Sequence, residues 1–324
     1  MKKVIITGGS GFIGTNLVEY YAAAGHEVFN LDIAKPRNPL HTNYWHKVDI
    51  LDAGALIDLV REINPDRVFH LAARTDLNGK CLNDYSANIQ GVSNIVLSIK
   101  EVDNIESVVF ASSMLVCRLG YQPLDNSDYC PDTIYGQSKV IGERIVREAS
   151  LDTAWTIVRP TSIWGPWFDT PYKNFFDVIR KGLYVHPLGL RVKRSYGFVL
   201  NAVYQLANIS DVLDDSLYCE TVYLADYKAI ELKNWAVTIQ QALSVGSIRE
   251  VPRWIFKAAA WGGDVAKRLG FLNPPMTSFR YKNMITETVL DTRNLECYCK
   301  DLPYSMQQGV SITCKWLIDQ EDMD

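Results

Sequence analysis

Tyr135 and Lys139 are the residues of this chain whose types and spacing best suit chemistry. In Tyr135-Gly136-Gln137-Ser138-Lys139 they stand four apart, so on a helix their side chains share one face. A phenol titrates at about 10, and a neighbouring ammonium favours the phenolate, which is expected to draw Tyr135 toward proton exchange with an alcohol. Such an exchange is half of an oxidation or reduction at a carbinol; the other half is a hydride carrier. Upstream, Val108-Val109-Phe110-Ala111 reads as a buried strand ending in Ser112-Ser113, at the carboxyl edge where open α/β sheets place ligands. One of these hydroxyls can hydrogen-bond the reacting oxygen. Each pattern also occurs as plain structure, a Tyr and a Lys sharing a surface helix or serines in a strand-end turn, so their combination with a hydride-carrier site decides.

That site is supplied by Ile5-Ile6-Thr7-Gly8-Gly9-Ser10-Gly11-Phe12-Ile13-Gly14, an apolar strand running through a glycine turn into a helix. Gly8 permits the tight turn, Gly11 leaves room for a pyrophosphate, and Gly14 lets helix and strand pack closely. The phosphates would meet the backbone N–H groups of the first helical turn, around Phe12 and Ile13. The next apolar strand, Val28 to Leu31, ends in Asp32, placed to accept from both ribose hydroxyls and to repel a 2′-phosphate. NAD is therefore expected over NADP, although Arg37, just past that strand, has the reach to meet a phosphate. Tyr135 would move the proton, and Lys139 would also hold the nicotinamide ribose.

Positioning these groups requires a particular scaffold. Strand patterns fall near 3–7, 27–31, 44–48, 67–71, 106–112 and 155–159, and helical patterns near 12–24, 53–63, 82–101 and 133–150, with Asn64-Pro65-Asp66 as a helix stop. This alternation predicts an α/β fold, a Rossmann-type doubly wound parallel sheet over residues 1–160. After Pro160 the alternation gives way to shorter elements rich in Trp, Tyr, Pro and Gly. Residues 161–324 are expected to form a smaller, mainly substrate-binding region that returns some segments to the sheet. The sequence has no internal repeat and no low-complexity linker, so the two regions are expected to pack as one body.

Composition excludes other classes. With 33 Lys and Arg against 37 Asp and Glu, the net charge of −4 offers no basic field for nucleic acid. No apolar run reaches the ~18 residues a spanning helix needs, and Met1-Lys2-Lys3 leads directly into a strand, so a cytoplasmic protein without an integral membrane segment is expected. Seven cysteines without a Cys-x-x-Cys pair fit reduced thiols, and Cys297 and Cys299 lack the partners of a structural metal site; no metal is expected.

Together these motifs resemble the extended short-chain dehydrogenase/reductase family, in its NAD-dependent epimerase/dehydratase branch, over nearly the whole chain. The likeness extends to Val48-Asp49-Ile50, similar to an adenine-contacting turn, and to His70-Leu71-Ala72-Ala73, similar to the strand beside the cofactor. It includes Asn88 with Gly91, the segment Arg159-Pro160-Thr161-Ser162-Ile163-Trp164-Gly165-Pro166, and Gln308-Gly309 with Trp316. The resemblance implies Ser113, Tyr135 and Lys139 as a catalytic trio, with Ser113 preferred to Ser112 because it stands four before Cys117, where the family usually has tyrosine. It implies cofactor contacts from Gly8, Gly11, Phe12, Ile13, Gly14, Asp32, Asp49, Ile50, Leu71, Ala72, Ala73, Asn88, Tyr135, Lys139, Pro160 and Thr161. Substrate would meet Ser162, and Arg191 and Arg194, with Lys193 between them, form a basic cluster able to clamp a pyrophosphate. The chain departs from the family where Met114 and Leu115 replace the acid and base of sugar 4,6-dehydratases, where Ser162 replaces an asparagine, and where Asn201-Ala202 stands in place of an aspartate pair.

The expected activity is therefore an NAD-dependent nucleotide-sugar epimerase that oxidises a carbinol and returns the hydride. The alternatives are a dehydrogenase or keto-reductase on a deoxysugar nucleotide or a hydroxysteroid-like alcohol, and, behind both, a non-catalytic NAD-sensing regulator. The segment from Val251 to Leu272, with Trp254, Phe256, Trp261 and Phe271 among Arg253, Lys257, Lys267 and Arg268, suits either a membrane surface or a packing helix over the pocket. The packing role is expected, because Gly262-Gly263 should interrupt the helix. With Asn273-Pro274-Pro275 it also resembles the hydroxysteroid dehydrogenase branch. Finally, Ile89, Val92, Ile95, Val96 and Ile99 on one helix and Val140, Ile141, Ile145 and Val146 on another offer more apolar surface than one sheet face requires, so a homodimer through these helices, as family members form, is expected.

Overall fold

The computed structural model describes residues 1–211, 219–271, 274 and 276–321. Strands β1 (Lys3–Thr7), β2 (Glu27–Asp32), β3 (Trp45–Lys47), β4 (Arg67–His70), β5 (Ser107–Ala111) and β6 (Ala154–Pro160) join the strand Glu220–Leu224 in one sheet. From one edge the order is Glu220–Leu224, β6, β5, β4, β1, β2, β3, and every pairing is parallel. The chain thus leaves the sheet at β3 and re-enters beyond β1, so the carboxyl ends of β1 and β4 flank the switch point where such sheets hold ligands.

Side-chain alternation explains the layers. Val4 and Ile6 of β1 join a core with Leu17, Val18 and Tyr21 of α1 (Phe12–Ala23), whereas Ile5 faces a second core containing Leu56, Val60 and Ile63 of α2 (Ala53–Ile63). That second core takes Val92, Ile95, Val96 and Ile99 from α3 (Ser86–Lys100) and Val146 from α4 (Ile134–Glu148). Local chemistry sets the helix ends. The Asp52 carboxylate caps α2 by accepting from Ala55 N–H, Asn64 closes it in the left-handed region at φ 49°, and Thr133 caps α4 by accepting from Gly136 N–H. Residues 82–85, expected as helix, form a separate 3₁₀ turn before α3.

Beyond β6, α5 (Tyr172–Arg180), α6 (Val199–Asp211) and α7 (Leu232–Ala242) extend the first core: Trp164, Phe176, Phe198 and Trp235 are all buried in it. Helix α8 (Arg253–Arg268) runs unbroken through Gly262-Gly263 and packs on α9 (Ser278–Ile285), contrary to the expected interruption. Gly263 is there for room, since a Cβ on it would lie 1.7 Å from the Met276 carbonyl oxygen. Leu272, Asn273 and Pro275 lie outside the described residues, as does any likeness resting on them.

Candidate active site

The glycine turn is built around close backbone approach. Gly8 adopts φ +72°, donates to the Leu31 carbonyl and accepts from Gly11 N–H; a Cβ on it would lie 2.6 Å from the nitrogen of Ala72. A Cβ on Gly14 would lie 2.1 Å from the Gly8 carbonyl oxygen. Gly11 instead meets only that oxygen, at 3.1 Å, and as the N-cap of α1 it brings no side chain to the N–H groups of Phe12 and Ile13. Those donors remain for an anion. Asp32 stands beside them, its Oδ2 accepting from Ser10 N–H at 3.1 Å and its Oδ1 from Ala34 N–H at 2.9 Å. Arg37 is engaged elsewhere, donating to the Trp167 carbonyl at 2.9 Å and pairing with Asp169. A cradle without Cβ atoms, open helical donors and a fixed carboxylate fit NAD, which Gly8, Gly11, Phe12, Ile13 and Gly14 would hold at the pyrophosphate and Asp32 at the ribose.

The other expected cofactor residues line the same sheet edge or its α3 side. Leu71 N–H binds the Thr7 carbonyl, Ala72 packs on Gly8, and Ala73 follows in the same loop. Ile50 is buried against Gly91 and accepts from Asn94, whereas Asp49 is exposed. Asn88, fully buried, bridges both backbone groups of Arg74 and donates to Ser138 Oγ. Pro160 ends β6, and Thr161 binds the Leu224 carbonyl through N–H and hydroxyl, fixing the chain where it leaves the sheet.

At the end of β5 the two serines diverge. Ser112 Oγ donates to the Glu143 carboxylate, while Ser113 accepts from Leu115 N–H and lowers the titration of the Tyr135 phenol. The sequence expectation that Lys139 lowers the Tyr135 titration is not what the structure has. Burial pushes the phenol up to about 12, offset in part by Ser113, and the Lys139 ammonium is spent on the Ala111 carbonyl at 2.9 Å. Burial draws Lys139 down to about 8, opposed by the charge of Glu143. His70 is pushed down to about 3 by burial and by Lys139, so it stays neutral, sharing a hydrogen bond with Thr7.

Glu143 is the residue that sequence reasoning missed. It is 2% exposed and takes two 2.8 Å bonds from the fully buried Arg159, a third from Tyr129 and a fourth from Ser112. The signal was present: Tyr135, Lys139 and Glu143 recur at four-residue steps on one face of α4. The substrate candidates are only partly gathered. Ser162 is buried and lowers the titration of Tyr172, and Arg194 acts on Tyr172 and Tyr196 while donating to the Thr286 carbonyl at 3.0 and 3.1 Å. Arg191 lies on the exposed side of its segment.

The sequence profile of the NAD dependent epimerase/dehydratase family matches residues 4–214. Over 97% of this chain and 95% of its own length, the N-acetyl-alpha-D-glucosaminyl-diphospho-ditrans,octacis-undecaprenol 4-epimerase of Escherichia coli O157:H7 is 26% identical. A 3 beta-hydroxysteroid dehydrogenase/Delta 5→4-isomerase of Mycobacterium tuberculosis is 28% identical over 75% of this chain and 70% of its own. Among solved structures, UDP-glucuronic acid 4-epimerase from Bacillus cereus in complex with NAD superposes with a TM-score of 0.77 at 16% identity, covering 99% of this chain and 98% of that one. The glycine cradle and the family match agree, and the chain belongs to the NAD dependent epimerase/dehydratase family.

Proposed function

We propose that this protein is an NAD-dependent epimerase that inverts one carbinol of a diphosphate-linked sugar, a nucleotide sugar above all. The observation that carries this reading is that Ser113, at the end of β5, holds down the titration of the buried Tyr135 phenol, with Lys139 one turn along the same helix. NAD, when bound, supplies the acceptor and the donor of hydride. Tyr135 Oη takes the hydroxyl proton as the carbinol becomes a ketone and gives it back when hydride returns to the opposite face, so no net redox change results. Ser113 Oγ is assigned to the reacting oxygen, and Lys139, fixed by the Ala111 carbonyl, to the ribose. Ser162, Arg191 and Arg194 are assigned to the sugar and its diphosphate. Met114 and Leu115 in place of an acid and a base argue against sugar dehydration.

The bacterial relative that epimerises a lipid-linked diphospho-sugar supports the diphosphate assignment and leaves two carriers, a nucleotide and a lipid. The hydroxysteroid dehydrogenase relative supports a second reading, one-way oxidation of a steroid-like alcohol. An intact Tyr135/Lys139 pair argues against a purely NAD-sensing role. Seven free thiols fit a reducing cytoplasm, and no described helix is long and apolar enough to cross a membrane. A homodimer through α3 and α4 completes the reading.

Thermal stabilisation by UDP-, GDP-, CDP- and dTDP-sugars identifies the carrier, since bound ligand raises apparent stability. Turnover of the stabilising sugar should leave absorbance at 340 nm unchanged at steady state. Stoichiometric NADH formation would replace the epimerase with the dehydrogenase.

A further inference from the structure

Helix α8 carries its apolar face outward. Phe256, Ala260 and Gly263 are buried against the body, and Phe256 stacks on Tyr281 of α9. On the far side Trp254, Ala258, Trp261, Val265 and Leu269 recur at four- and three-residue steps, which places them in one stripe. Trp254 is 68% exposed, Trp261 72% and Leu269 74%. Ile255 and, just past the helix, Phe271 add to the exposed apolar surface. Arg253, Lys257 and Arg268 flank the stripe between its edge and the buried side, and all three are exposed. The helix is not loosely attached: Arg253 donates to the carbonyls of Leu188 and Gly189 at 3.2 and 2.7 Å, and Gly263 sits under the Met276 carbonyl.

Apolar surface of this kind, contiguous and rimmed by charge, is unfavourable in water and marks a docking face. Its chemistry selects the occupant. Tryptophans suit the boundary between headgroups and acyl chains, and a flank of arginine and lysine suits negatively charged headgroups. A second copy of this chain offers that flank nothing from α8 to pair with, because the one acidic residue of the helix, Asp264, is spent on Ser278 N–H. We propose that the outward face of α8 docks on the surface of an anionic phospholipid bilayer, with Trp254, Trp261 and Leu269 entering the interface and Lys257 and Arg268 at the headgroups. This inference stands apart from the reaction proposed above, since none of these residues is assigned to catalysis or to cofactor.

The test is co-sedimentation of the full chain with vesicles of phosphatidylcholine alone or of phosphatidylcholine mixed with phosphatidylglycerol. The protein should pellet with the mixed vesicles, weakly with the neutral ones, and less as salt is raised. Trp254→Ala/Trp261→Ala and Lys257→Glu/Arg268→Glu should each lower vesicle affinity at least about tenfold, matching loss of interfacial anchors and of charge attraction. All four side chains point outward, so melting temperature and NAD affinity should stay at their original values. Absence of pelleting with mixed vesicles, or pelleting undiminished in both variants, overturns the proposal. So does self-association that Trp254→Ala/Trp261→Ala abolishes in a protein that ignores vesicles, which would assign the face to a second copy.

Discussion

Tyr135 and Lys139 are both buried, and burial moves their titrations apart, the phenol up to about 12 and the ammonium down to about 8. The neutral forms gain, so the site holds its charge through Glu143, whose carboxylate opposes the fall at Lys139 while Arg159 satisfies both of its oxygens. Tyr135→Phe should lower turnover at least about a hundredfold, the scale of lost acid–base catalysis, with NAD affinity nearly unchanged; near-normal turnover would remove Tyr135 from the mechanism. Asp226 allows a separate test. Burial lifts its carboxyl from 3.8 to about 7, against the opposing bonds from Asn201 and Phe198 N–H. The folded chain therefore keeps a proton that the unfolded chain has released across that window. Stability from this group is full below 3.8 and is lost as pH rises through about 7. Asp226→Asn should flatten the fall in melting temperature over that range, and an unaltered slope would show that Asp226 titrates normally. Tyr135, Lys139 and Asp32 could be named as candidates because each depends on spacing or on a strand end, whereas the strand end alone left Ser112 and Ser113 open and the family resemblance chose Ser113. Asp226 was not, because its partners Phe198 and Asn201 belong to other segments that only folding brings to it.

The turn between β1 and α1 separates two roles that glycine plays within a few residues. Gly14→Ala would push a Cβ to 2.1 Å from the Gly8 carbonyl oxygen, and backbone there has nowhere to go. Gly11→Ala meets the same oxygen at 3.1 Å, which a small shift relieves, but its methyl would occupy the approach to the Phe12 and Ile13 N–H groups. The expected outcome is that Gly14→Ala loses melting temperature even without ligand. Gly11→Ala should melt close to the original and lose at least about tenfold in NAD affinity, as crowding of the pyrophosphate site requires. Equal loss of stability in both would show the loop to be uniformly tight. Apart from the start of α3, which lies four residues past the expected one, elements up to β6 were legible within a residue or two, because strands buried on both faces and helices with one apolar face write different periods. Helix α8 was misread at Gly262-Gly263. Propensity disfavours glycine there, and the reason for Gly263, the Met276 carbonyl against it, lies across a packing contact that periodicity does not encode.

At the scale of the molecule, the strand Glu220–Leu224 returns to the sheet beside β6, and the aromatic cluster around Trp164 and Trp235 packs the later elements on the α1 side. The sequence told that segments return but not which, since a five-residue strand on one sheet edge carries no pairing signal. The homodimer is the remaining question of assembly. Val92, Ile95, Val96 and Ile99 of α3, and Val140 and Val146 of α4, are covered within the single chain, so the apolar excess is smaller than their spacing suggested. What remains outward is Leu97, 49% exposed, with half-buried Ile89 on the same face of α3 and half-buried Ile141 and Ile145 on α4. Pairing two such helix pairs about a two-fold axis would cover these side chains without disturbing the sheet, and would steady α4, on which Tyr135 and Lys139 sit. Light scattering at micromolar concentration should give about twice the 36.7 kDa chain mass. Leu97→Arg should reduce it to the monomer, because two charges would then face each other across the axis, whereas Trp254→Ala/Trp261→Ala should leave it intact. A monomer in the original protein would refute the interface, and a dimer lost only in the tryptophan variant would move it to α8.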